Sequence, residues 1–260
     1  MKTSIAVGIL LLAFTPQGKP KAEVVGIHIT KLPYKEDKDL GAGSFHGVKL
    51  DVLVTSDEGG IIKLDDKKSK ITKFADDKGT DLLKKPKDDD SFGFGPIGPF
   101  SKVSKDSKAV LLSVDGKNVP AAGAKSVTLE GTLVLMVAKG KDVAKQEGVE
   151  LKKGAGFKAG GVAFKIDAAG KPDFGDAPLQ VTLSTKEGSK VAGVRFLDAA
   201  GKDLDAKSAG SSSMSFGDDT SYSWNYDFKQ ETKVATIEVS LWKGMVNVDV
   251  PVKVTVSVGF

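Results

Sequence analysis

Four aromatic residues alternate with polar ones near the C-terminal end of the chain, and they are the best candidates for a recognition surface. The rings belong to Tyr222, Trp224, Tyr226 and Phe228, and the polar side chains between them to Ser223, Asn225 and Asp227. A β-strand would place all four rings on one face. Such a face favours two interpretations, a sugar-binding platform or a row packed between two sheets. The candidate ligand-binding residues are Tyr222, Trp224, Asn225 and Tyr226.

Two histidines, His28 and His46, are the other candidates for chemistry. If the first two predicted strands pair antiparallel, the rings approach one another, and a carboxylate such as Asp51 would add a third ligand for zinc or copper. A histidine on the solvent face of a strand is the commoner situation, so no metal site is predicted. No G-x-S-x-G motif places a serine beside either ring, and no catalytic residue is assigned.

Aspartate clusters resemble calcium loops only in composition. Asp76, Asp77 and Asp81 surround Gly79, but Lys78 lies among them and no closing glutamate follows at the spacing of an EF-hand loop. Aspartate followed by glycine is typical of a tight turn, in which the carboxylate accepts backbone amides and glycine takes a left-handed conformation. Turn capping is therefore the predicted role.

Composition narrows the classes of partner and cofactor. The formal net charge is +4, and Arg195 is the single arginine, which disfavours nucleic-acid binding because arginine is the main reader of phosphates and guanine edges. The chain has no cysteine, which excludes disulfides, zinc–thiolate sites, iron–sulfur clusters and cysteine nucleophiles. No cofactor is predicted.

The N-terminus has the features of a signal peptide, predicted over residues 1–22 with an undefined cleavage point. A basic start, Met1-Lys2, precedes the apolar run Ile5–Phe14, which is too short to span a bilayer. We therefore expect a secreted, periplasmic or cell-surface protein with no transmembrane span in the mature chain. A first β-strand or an uncleaved anchor is the alternative interpretation of this run.

The C-terminal run predicts the fold class. Every second residue from Val246 to Phe260 is apolar, which indicates a long strand with one dry face and one wet face. Pro251 has no amide hydrogen, so we expect an edge, a bulge or a bend at that position. Thirty glycines and ten prolines with few helical patterns indicate many further short strands.

Four short phrases recur in the same order, about 125 residues apart. They match Phe74–Leu82 with Phe196–Leu204, Ser91–Gly93 with Ser215–Gly217, Lys108–Val114 with Lys233–Val239, and Thr55–Gly59 with Ser184–Gly188. The recurrence predicts two homologous antiparallel β-sandwich domains, at 23–140 and 148–260, each ending in a long strand. At this architectural level the chain resembles the tandem immunoglobulin-like modules of bacterial exported proteins.

These observations lead to two hypotheses about function. The first is a non-enzymatic exported structural or binding protein of tandem immunoglobulin-like modules, whose partner is a protein or glycan at the cell envelope. The alternative is a carbohydrate-binding or metal-dependent hydrolase-associated protein that uses the face of Tyr222, Trp224 and Tyr226. Burial of Trp224 discriminates between the two.

Overall fold

The predicted all-β class is confirmed by a computed structural model, which describes residues 20–30, 47–57, 60–84, 95–98, 101–216 and 219–258. Its regular elements are sixteen strands in antiparallel sheets and one short 3-10 turn at Gly188–Lys190. Most of the predicted signal segment and His46 lie outside the described residues. The first strand begins at Lys21, inside the range that was assigned to the signal.

The strands follow one another closely along the chain. They are β1 (Lys21–Thr30), β2 (Gly47–Thr55), β3 (Ile61–Leu64), β4 (Lys70–Asp76), β5 (Lys102–Val103), β6 (Ala109–Gly116), β7 (Ser126–Val137), β8 (Gly140–Glu150), β9 (Gly156–Ala159), β10 (Val162–Gly170), β11 (Leu179–Thr185), β12 (Val191–Leu197), β13 (Lys207–Phe216), β14 (Asp219–Phe228), β15 (Val234–Lys243) and β16 (Val246–Ser257). In the part of the chain that is described, no helix is long and apolar enough to cross a membrane.

The chain divides into two compact units. Unit 1 comprises residues 1–138 together with 245–260, and unit 2 comprises residues 139–244. Unit 1 contains one sheet of order β1-β2-β6-β5 and another of order β16-β7-β3, in which β4 also pairs with β7. Unit 2 contains a five-stranded sheet of order β13-β14-β11-β10-β9 and a three-stranded sheet of order β12-β15-β8.

Strict alternation of apolar and polar residues builds the core of unit 1. On β2, the side chains of Val48, Leu50, Val52 and Val54 are fully buried, while the residues between them face outward. Burying one such side chain contributes about 1.5–3 kcal/mol, so a strand with four of them is strongly held in this register. The strands β6, β7 and β16 supply most of the other buried residues of this core.

Gly131 interrupts the apolar alternation of β7, and the structure explains why. A Cβ atom at this position would lie 2.5 Å from the carbonyl oxygen of Lys70, on the neighbouring strand β4. Because two backbones approach this closely only where a side chain is missing, glycine is required here. The position marks a packing constraint of unit 1.

The long C-terminal strand is present, but its partner differs from the prediction. Val250, Val252 and Val256 of β16 are buried, as is Val258 directly after the strand. Pro251 lies on an edge strand, one of the three situations that its missing amide predicted. However, β16 pairs with β7 along its whole length and belongs to the core of unit 1. The predicted second domain, 148–260, therefore differs from unit 2 at both ends, because the expected linker after residue 140 forms β8.

Candidate ligand-binding face

The aromatic strand is β14, an interior strand of the five-stranded sheet of unit 2. It pairs with β13 on one side and with β11 on the other. Successive side chains therefore point alternately to the core and to the outer face of the sheet, as the alternation of rings and polar groups predicted. The rings lie on the core side.

Two of the four rings are part of the hydrophobic core. Phe228 and Tyr226 are buried, and both contact Phe196 edge to face, with ring centroids 4.9 and 5.0 Å apart respectively. Burial raises the pKa of the Tyr226 hydroxyl to about 12, so this group stays protonated and neutral at physiological pH. Because Tyr226 is enclosed by the core of unit 2, its predicted contact with a ligand has no surface on which to occur.

The other two rings lie toward the start of β14, where the core gives way to solvent. Tyr222 and Trp224 are each partly exposed and stack nearly parallel, with centroids 6.4 Å apart and an interplanar angle of 14°. Trp224 also packs against the core of unit 2. Beneath Tyr222 lies Gly188, where a Cβ atom would be 2.1 Å from the Tyr222 Cγ atom, so the stack requires glycine at this position.

The polar residues of β14 form a ladder on the opposite, outer face. The hydroxyl of Thr182 donates to Asn225 Oδ1 at 2.9 Å, and the amide of Gln180 donates to Asp227 Oδ1 at 2.7 Å. The hydroxyls of Ser212 and Ser223 are 2.8 Å apart. Asn225 therefore lies on the other side of the sheet from Trp224, and the four predicted site residues do not form a single surface.

The edge strand β13, next to β14, is a feature that sequence reasoning missed. Ser208–Phe216 carries no charged residue and no proline, and the residues of β13 as far as Met214 are almost all exposed. Within the described residues its only partner strand is β14, which leaves the outer backbone edge available for another strand. The serine run Ser211–Ser213 forms part of this edge.

The other edges are interrupted in ways that oppose strand addition. The strands β1, β4 and β12 each contain a bulge together with charged residues. The strand β8 carries five charged residues, and β16 contains Asp249, Pro251 and Lys253. The strands β3, β5 and β9 are only two to four residues long. Only one bulge, between Ser208 and Gly210, protects β13. Of the long edge strands, β13 therefore remains the most open to pairing.

The predicted antiparallel pairing of β1 and β2 is confirmed, and it brings His28 beside Asp51 on the outer face of unit 1. The expected approach of His28 to His46 lies outside the described residues. The Nε2 atom of His28 lies 3.2 Å from Asp51 Oδ2, and the hydroxyl of Ser113 donates to Asp51 Oδ1 at 2.8 Å. Asp51 thus binds the ring and the hydroxyl through different oxygens, and no hydrogen bond joins His28 to Ser113 directly in the part of the chain that the structure describes. Among the described residues no group of three metal-ligating side chains is found.

Asp76 has the turn-capping role predicted for it. Its carboxylate accepts the backbone amides of Lys78, Thr80 and Ala121 at 2.7–3.0 Å. Burial by itself would raise the pKa of Asp76. The amide hydrogen bonds together lower the pKa by more than burial raises it, so the pKa of Asp76 lies below the ordinary value. The carboxylate is occupied by the backbone and is not arranged as a calcium ligand.

The larger clefts of unit 2 contain none of the predicted site residues. One cleft of about 860 Å³ is lined by three lysines and three acidic residues, among other groups. These are Lys152, Lys171, Lys233, Glu150, Asp176 and Glu231. The mixed charges partly cancel, and Glu150 forms an ion pair with Lys152. No single sequence motif unites these residues, so this cleft could not be found from the sequence.

Comparison with protein-family models, curated proteins and solved structures found no match. No site is therefore inherited from a relative, and a function must be argued from the surfaces of this chain. Two surfaces of unit 2 remain as candidates, the open edge of β13 and the partly exposed stack of Tyr222 and Trp224.

Proposed function

We propose that the chain is a non-enzymatic exported structural or binding protein of two tandem immunoglobulin-like modules, which binds a protein at the cell envelope through β13. The observation that carries this proposal is the ten-residue, nearly uncharged edge of β13. An extended segment of a partner would add to this edge as a further strand.

Strand addition draws its affinity from backbone hydrogen bonds. Each unpaired amide and carbonyl along β13 is a donor or acceptor that a partner strand would satisfy. From Ser208 to Phe216 the strand carries no charge that would oppose the approach. Gly210, which has no side chain, and the small side chains of Ser211 and Ser213 let the partner backbone come close. Serine hydroxyls would add hydrogen bonds to polar side chains of the partner.

Charging the edge tests the proposal. The double variant Ser211→Lys, Ser213→Lys places two like charges on β13, and a matched control, Ala199→Lys with Ser221→Lys, adds the same charge at exposed positions outside β13. We expect the native chain and the control to co-sediment with washed bacterial envelopes. The edge variant should bind about tenfold more weakly, a difference of about 1.4 kcal/mol.

Treating the envelopes beforehand identifies the partner. Binding through β13 to a protein segment should be lost after protease treatment and retained after periodate oxidation of glycans. Equal binding by the edge variant and the control would contradict the role of β13, whatever the treatment.

Export is tested separately. Replacing Leu11 with lysine interrupts the apolar run Ile5–Phe14 that a signal peptide requires. We expect this variant to remain in the cytoplasmic fraction while the native chain reaches the periplasm or medium. The same fractionation for both chains would count against a signal function of this segment.

Carbohydrate binding is the second candidate, and the stack of Tyr222 and Trp224 favours it. Two parallel, partly exposed rings offer an apolar platform on which a sugar ring would stack. In this case Tyr222→Ala should abolish the thermal stabilisation given by a glycan, whereas the native chain should melt at a higher temperature in its presence. Binding would then be sensitive to periodate and insensitive to protease, the reverse of the result expected for β13.

A further inference from the structure

A turn with the same sequence pattern has the same hydrogen bonds in both units. In unit 1, the amides of Gly79 and Leu82 donate to the carbonyls of Asp76 and Phe74. The corresponding bonds in unit 2 join Gly201 to Asp198 and Leu204 to Phe196. In both turns the aspartate carboxylate also accepts the amides two and four residues later. Such agreement in detail supports a common origin for the two units.

The order of strands agrees as well. The order β1-β2-β6-β5 in unit 1 corresponds to β10-β11-β14-β13 in unit 2. The strand that leads into the shared turn is β4 in unit 1 and β12 in unit 2, and their partners are β7 and β15. By this correspondence β6 is equivalent to β14. The sequence match of Lys108–Val114 with Lys233–Val239 instead aligned β6 with β15, which has different neighbouring strands.

One strand in each unit comes from an unexpected part of the chain. On the side away from β3 and β4, β7 pairs with β16, which follows unit 2 along the chain. On the side away from β12, β15 pairs with β8, which follows β7 along the chain. Only two residues separate β7 from β8, and only two separate β15 from β16. Connections of this length usually close a hairpin, but neither pair of consecutive strands is hydrogen-bonded together.

We infer that the two units are copies of one sandwich that have exchanged their closing strands. The strand β16 fills in unit 1 the place that β8 would fill in a simple tandem repeat, and β8 fills the equivalent place in unit 2. The edges of β7 and β15 are thus strand-acceptor sites, each occupied by the segment that follows the other copy. The inference rests on the duplication assumed in the proposed function.

The side chains explain why the exchange is specific. Three buried valines of β16, Val250, Val252 and Val256, complete the core of unit 1 together with Val258, which directly follows the strand. In β8 only Val149 is buried, and most of the strand is polar or charged. If β8 lay beside β7 instead, the apolar residues of unit 1 would lose most of this cover.

Pairs of introduced cysteines test the exchange without interference, because the natural chain has none. The hydroxyls of Thr128 on β7 and Thr255 on β16 are 3.0 Å apart on a solvent-facing position. On mild oxidation at low protein concentration, Thr128→Cys with Thr255→Cys should form a disulfide within one chain. The product is a monomer by gel filtration in which mass spectrometry finds the two peptides joined.

A second pair reports the arrangement without exchange. If β16 turned back on β15 through Gly244-Met245, Thr255 would face Val234, which instead pairs with Glu150 in the structure. Val234 is exposed, so Val234→Cys with Thr255→Cys should fold and remain free of an internal disulfide. Should Thr128→Cys prevent folding, Glu130→Cys with Lys253→Cys tests the same ladder.

Three results would overturn the inference. An internal disulfide between positions 234 and 255 would show that β15 and β16 form a hairpin, whether or not a disulfide also forms between positions 128 and 255. A disulfide between two chains at 128 and 255 shows that β16 is donated by a second copy. Free thiols in both ladder pairs of a folded protein show that β16 does not lie beside β7. The envelope assay is separate, since a correctly cross-linked chain that fails to bind refutes only the proposed function.

Discussion

The turns after Phe74 and after Phe196 have the same backbone hydrogen bonds but different surroundings. Asp76 is buried and accepts a third amide, from Ala121, a residue far along the chain. Asp198 is partly exposed and accepts only amides of its own turn. Local sequence thus produces the turn, whereas packing decides how much stability its aspartate contributes. Variants in the two turns distinguish the contribution of the local sequence from that of the packing around it.

The largest effect is expected from the phenylalanine that precedes each turn. Phe74 and Phe196 are equally buried in their respective cores. Replacing either with alanine should lower the free energy of unfolding by about 3–5 kcal/mol, because it removes packed surface and leaves a cavity. Denaturant titration of both variants checks this, with the exposed Phe174→Ala as the control that should change little.

The aspartates should differ from one another. Asp76→Ala removes a buried carboxylate that accepts three backbone amides, and we expect a loss of about 2–3 kcal/mol. Asp198→Ala should lose about 1 kcal/mol, since water can reach the amides of its turn. Equal losses in denaturant titrations would show that packing around Asp76 adds nothing.

The glycines should respond alike. Gly79 and Gly201 have φ angles of +86° and +80°, and no atom would contact a Cβ at either position. Alanine should therefore cost only the strain of a left-handed backbone, about 1 kcal/mol at each site. A markedly larger loss in thermal unfolding at either glycine would reveal a packing constraint.

The smallest of the four effects is expected from acidification, which should reduce the contribution of Asp76 to the free energy of unfolding. Its pKa in the folded state lies below its value in the unfolded chain, so the unfolded chain binds the proton first. The contribution of this carboxylate is complete above the unfolded pKa, about 4, and is lost as the pH falls through the folded pKa. The stability difference between native chain and Asp76→Asn should shrink below pH 4. A difference that stays constant would contradict the lowered pKa.

Local patterns were sufficient for much of the fold. The alternation on β2 and β16, the edge position of Pro251 and the turn at Asp76 all follow from properties of neighbouring residues. The alternation of rings on β14 was also predicted correctly. The division of those rings between core and solvent was not, since it depends on which residues from elsewhere in unit 2 pack against each ring, as Phe196 does against Tyr226 and Phe228.

By itself, the sequence determined the strands whose apolar residues alternate strictly, such as β2 and β16, and which side of each is dry, because both properties repeat every two residues. It did not reveal β8 or β13, whose residues are mostly polar or small. The tertiary structure alone decided which strands are neighbours. The alternation of β16 would suit any apolar sheet edge, and only the cores of the two units place it beside β7. The same reason applies to β13, whose serines become an open edge only once β14 has paired with β11 on its other side.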